Sequence, residues 1–123
     1  MPIKVGSTRL VRETTAPYEY TDEKGELKVE QIRVRYYSLS VAEMREKTAR
    51  IEQMIAEAVD KKEPVWLSDV LPLTLESLPD LLDQKGKPIA ITADSLAKLN
   101  RHNLDAIQTA ISEDLNPKEQ PAK

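Results

Sequence analysis

The chain has 123 residues, 18 Lys and Arg against 21 Asp and Glu, and a formal charge of −3. That length holds one ordinary domain, and the slight acidity argues against a nucleic-acid binder that works through bulk charge. No Cys, one His and three Gly exclude a disulfide framework, a thiolate or His-rich metal site, a Cys nucleophile and a glycine-rich phosphate loop. Leu, Ile and Val make up roughly a quarter of the residues, enough for a modest aliphatic core, and only 4% are aromatic.

The first residues, Met1-Pro2-Ile3-Lys4-Val5-Gly6-Ser7, hold no apolar run of signal-peptide length. The greasiest stretch, 65–82, is interrupted by Pro72, Pro79 and charges, so no membrane span is expected and a cytosolic location is the expectation. Residues 1–39 read as β-structure. Short strands are expected at 3–5 and 9–12. Tyr18-Glu19-Tyr20-Thr21 and Glu26-Leu27-Lys28-Val29 flank Asp22-Glu23-Lys24-Gly25, which is a hairpin pattern. Pro17 marks a strand entrance. In 31–36, Ile32, Val34 and Tyr36 alternate against Gln31, Arg33 and Arg35, and the apolar phase slips between Val29 and Ile32, which predicts a β-bulge.

Ser40-Val41-Ala42-Glu43 is a capping box opening a long helix. Val41, Met44, Thr48, Ile51, Ile55 and Val59 form its apolar stripe, and Pro64 ends it. The reading is a helix that covers the apolar face of the sheet. Residues 63–91 carry Pro64, Pro72, Pro79 and Pro88 among many leucines. Helical turns are predicted over 67–71 and 75–83, then a turn at Asp83-Gln84-Lys85-Gly86. Thr92 is the next helix cap, and Asn100-Arg101-His102-Asn103 breaks the element. Leu104, Ile107, Ile111 and Leu115 repeat at helical spacing up to Asn116-Pro117. The expected fold is therefore α+β. A small antiparallel N-terminal sheet or hairpin packs on a long helix, and a mainly helical C-terminal half follows. It forms a single domain over 1–117 with a disordered polar tail at 118–123.

Chemistry is sparse. Glu113-Asp114 and the Asp80/Asp83 pair stand beside helix ends or turns, as carboxylates often do by chance. His102, with Asp105 three residues on, has the geometry of an oriented base but polar neighbours typical of a surface histidine. No catalytic residue, metal ligand or cofactor site is assigned. Helices at 92–99 and 104–115 resemble the spacing of a helix-turn-helix. The second carries Asp105, Glu113 and Asp114 and no Lys or Arg, which disfavours phosphate contact. Protein binding remains. Trp66 is the single Trp, read either as a core plug or as an interface anchor.

Trp66, then Asp83-Gln84-Lys85-Gly86-Lys87-Pro88-Ile89-Ala90-Ile91-Thr92, then Leu96, Leu99, Leu104, Ile107 and Asp114-Leu115-Asn116-Pro117 resemble the tail assembly chaperones of long-tailed bacteriophages. Arg33-Val34-Arg35-Tyr36-Tyr37-Ser38-Leu39-Ser40, leading into a charged helix, is also similar to that group. The resemblance spans roughly 32–118, leaves the N-terminal hairpin unmatched, and rests on common residues. It implies a non-enzymatic protein that covers apolar helical stripes of the tape-measure protein until the tail tube encloses it. Contact with the tail tube protein and self-association are further expectations. Trp66, Leu73 and Leu75 are then expected at the edge of the binding patch. Another small phage structural or adaptor protein, of tail-completion type, and a DNA-binding regulator are the alternatives.

Overall fold

The structure is a computed structural model that describes residues 9–116. Strands β1 (Leu10–Thr21) and β2 (Leu27–Ser38) pair antiparallel from Leu10↔Ser38 to Thr21↔Leu27. Their turn is built by Asp22. Its carboxylate accepts from the backbone N–H groups of Lys24 and Glu26, both at 2.9 Å, and Gly25 supplies the positive φ of 80° that closes the loop. The same device recurs at Asp83, which accepts from Lys85 and Lys87, with Gly86 again at φ 80°.

The bulge expected between Val29 and Ile32 is absent from this pairing, whose register runs unbroken along the hairpin. Ile32, Val34 and Tyr36 are buried on one face with Ala16 opposite Ile32. Leu27 and Val29 simply point to the other face and stay in solvent. Irregularity falls instead where β2 meets β3 (Leu75–Ser77). There the two-residue step from Ser77 to Leu75 opposes the single step from Arg35 to Tyr36. The order β1-β2-β3 makes β2 central and β1 an edge.

Helix α1 (Val41–Lys61) starts where the capping box predicts. Ser40 Oγ accepts from Glu43 N–H at 3.1 Å, and Glu43 returns the bond to Ser40 N–H at 3.0 Å. It does not cover the sheet. None of its residues is buried, and the sheet face is taken by helix α4 (Arg101–Leu115) through Leu104, Ile107 and Ile111. The half-buried side of α1 carries Glu43, Lys47, Ile51, Met54 and Ala58. That side lies roughly a quarter turn from the stripe of Val41, Met44, Thr48, Ile55 and Val59, at 100° per residue. Its apolar stripe therefore lies to the side of the face that meets the body and stays exposed.

The C-terminal half is less helical than expected. Between α1 and α4 lie two single turns, α2 (Leu67–Val70) and α3 (Ala93–Leu96), a 3-10 turn at Leu71–Leu73, and β3. Prolines 64, 72, 79 and 88 forbid a continuous helix here, and of the segment predicted helical at 75–83, residues 75–77 pair as a strand and the rest is not helical. Leu71, Leu75, Leu78 and Leu96 still turn inward and complete one aliphatic core with Tyr36 and the apolar face of α4. The α+β class stands. The expected strand at 3–5 and the polar tail 118–123 lie outside the described residues. Among the described residues no helix is long and apolar enough to cross a membrane.

Candidate functional site

The end of α1 sets the position of Trp66. Lys62 N–H donates to Val59 O and Glu63 N–H to Ala58 O, a Schellman closure with Lys62 at φ 56° in the left-handed region. Pro64 then forbids further helix, and Trp66 stands at the N-cap of α2. The Asp69 carboxylate accepts from Trp66 N–H at 3.0 Å, and Asp69 N–H donates back to Trp66 O at 2.9 Å. The backbone is thus held while the indole remains 57% exposed.

Beside it lies a cleft of about 780 Å³ between α1, the 64–70 segment and the α3–α4 region. Ile51, Trp66, Leu99 and Leu104 give it apolar walls. Lys47, Arg101, Asp105 and Gln108 give it a polar rim. Burial against the body lowers the Lys47 ammonium pKa from its ordinary value. Asp105 lies 3.9 Å from Arg101 within one turn of α4. The arrangement offers an apolar trough with charges at its lip and suits a partner side chain row better than a reacting group.

The three residues expected at the patch edge separate. Trp66 is at the cleft mouth. Leu73 is half-buried and faces a smaller groove of about 200 Å³ with Arg9, Leu39 and Glu43. Leu75 is 2% exposed, opposite Tyr36 in the sheet, and belongs to the core. Its assignment to a binding surface is corrected. Pairing of 75–77 with β2 turns Leu75 inward, and the two-residue spacing of Leu73 and Leu75 was the available strand signal.

Of the carboxylates considered for chemistry, Asp80, Asp83 and Asp114 are engaged in structure. Asp80 accepts from Arg33 N–H at 2.7 Å and pairs with its guanidinium at 2.8 Å, and that guanidinium holds the carboxyl pKa below the usual range. Asp114 accepts from the buried Tyr36 hydroxyl and lies 3.5 Å from Arg12 Nε. Burial, then the Asp114 hydrogen bond, raises the Tyr36 phenol pKa. His102 Nε2 is 2.8 Å from Glu19, not from Asp105, and its side chain is largely in solvent.

Asn103 is the residue sequence reasoning missed. It is 1% exposed, and its amide accepts from Glu19 N–H at 2.8 Å and donates to Glu19 O at 2.9 Å. The side chain thus takes the place of a neighbouring strand on the open edge of β1. Because Glu19 turns both backbone groups outward, Pro17, two residues earlier, occupies a site whose missing N–H costs the ladder nothing. Pro17 therefore stands mid-strand rather than at an entrance. Among the described residues no group of three or more His, Asp or Glu is placed to hold a metal ion. Comparison with protein-family models, curated proteins and solved structures finds no match to this chain.

Proposed function

We propose that this protein is a non-enzymatic phage tail assembly chaperone, working in the host cytoplasm, whose Trp66 cleft receives an apolar row of a tape-measure helix. The observation that carries the reading is the exposed indole, on a hydrogen-bonded backbone, at the mouth of an apolar-walled cleft. Trp is the residue type most enriched among binding anchors, and a fixed backbone lowers the ordering cost of using it. An amphipathic helix docks into such a trough by one face. The rim of Lys47, Arg101 and Asp105 favours moderate affinity, which a chaperone needs when its client passes into the tail tube. Contact with the tail tube protein at that handover belongs to the same reading. No cofactor enters it.

Co-expression with the product of a long neighbouring reading frame tests the proposal. The expected result is a soluble complex that Trp66→Ala weakens at least about tenfold. A complex unchanged by Trp66→Ala, with the far-UV circular dichroism retained, overturns the assignment of the cleft. Absence of any complex overturns the chaperone reading itself.

A further inference from the structure

The cleft uses the inner side of α1 and leaves its outer stripe open. Val41 is 68% and Val59 70% exposed, with Met44 and Ile55 about half exposed between them. At the border of this stripe and the half-buried side, Val41, Met44, Thr48, Ile51, Ile55 and Ala58 form a seam at steps of three and four residues, a coiled-coil spacing, with Ile51 and Ala58 half-buried. The steps run three, four, three, four, three, so they read the same from either end. Reversed on a copy of itself, the seam sets 41 opposite 58, 44 opposite 55 and 48 opposite 51. Charge follows the same symmetry. Arg45 and Glu52 flank the seam on its open side, and neither has an ion-pair partner among the described residues. In the reversed pairing each Arg45 meets the second copy's Glu52, twice by the two-fold axis. A parallel pairing sets like charges at the same height.

We infer that α1 pairs antiparallel with α1 of a second copy of this chain, through the Val41–Ala58 seam and reciprocal Arg45–Glu52 contacts. This pairing borders the cleft at Ile51 and does not rest on what the cleft binds. The contact runs about 27 Å along the helix at 1.5 Å per residue.

Sedimentation equilibrium of the full chain, alone, tests it. The expected result is a reversible dimer. Arg45→Glu and Glu52→Arg each weaken it roughly tenfold, since one reversal turns two attractions into two repulsions, and the double variant restores it to within about threefold. Ile55→Glu abolishes it while circular dichroism stays unchanged, because the site is exposed. The chain has no Cys, so Val41→Cys gives a single spin-label site. The two labels lie about 26 Å apart along an antiparallel pair and within about 10 Å in a parallel one. A monomer at millimolar concentration overturns the inference. So does a dimer indifferent to Ile55→Glu or to the charge reversals, or one with close labels.

Discussion

Helix α4 buries Asn103, Leu104, Ile107 and Ile111 over fifteen residues, whereas the twenty-one residues of α1 bury none. Both helices are amphipathic, and α1 has the better termini, with a full capping box and a Schellman closure. The difference lies in what each stripe meets. The residues of α4 face an apolar sheet surface at Ala16, Ile32, Val34 and Tyr36, and its Asn103 bonds to the edge of β1. The stripe of α1 meets water, and Arg9, just before β1, pairs with Glu43 of α1 at 2.8 Å. Amphipathicity thus states that a face seeks cover. It does not state which element supplies it.

The largest expected effect sharpens that contrast. Ile107→Ala costs about 2–5 kcal/mol in chemical denaturation, from lost burial and the cavity left behind. Ile55→Ala in α1 stays within about 0.5 kcal/mol under conditions where the chain is monomeric. Comparable losses at the two sites break the comparison. Next comes Asn103→Ala, expected to cost about 1–3 kcal/mol, because it orphans both Glu19 backbone groups. Faster hydrogen exchange at the Glu19 amide is its local signature, and unchanged exchange contradicts the edge-covering role.

Smaller effects separate α1 from the body. Ser40→Ala removes about 1 kcal/mol of helix capping, and Lys62→Gly returns up to about 1 kcal/mol by relieving the left-handed residue. Both are expected in amide exchange of α1 and not in exchange of the α4 core. Equal response of α4 means that the two helices unfold together. The smallest effect is pH-dependent. The folded-state pKa of Asp80 is depressed, by the side-chain and backbone hydrogen bonds from Arg33. Its contribution is therefore present above the ordinary Asp value near 4 and is lost as pH falls through the lower folded value. Asp80→Asn narrows the stability difference between pH 7 and pH 3. A variant whose acid profile matches that of the parent removes Asp80 from the account.

Local signals were legible where one residue type does one local job. Ser40 and Glu43 cap α1, Thr92 caps α3 through Ser95 N–H at 3.1 Å, and Gly25 and Gly86 close their turns. Trp66 was legible as a candidate anchor, but its exposure was not. Leu75 was misread because Leu-rich residues between prolines suit a helical turn and a strand equally, until Tyr36 provides a partner. Asn103 was read as part of a polar break because its amide is satisfied by Glu19, 84 residues away in the chain.

The sequence by itself determined the alternation over 31–36, the two Asp–Gly turns and the limits of α1, because each rests on contacts between near neighbours, and it marked the apolar stripe of α4 by its helical spacing. Only the tertiary structure decided that α4 rather than α1 covers the sheet, that 75–77 completes it, and that Trp66 stands at an open cleft. Those outcomes depend on which of several similar apolar faces fit together. Hydrophobic burial has no direction of its own, so packing of the whole chain selects among them.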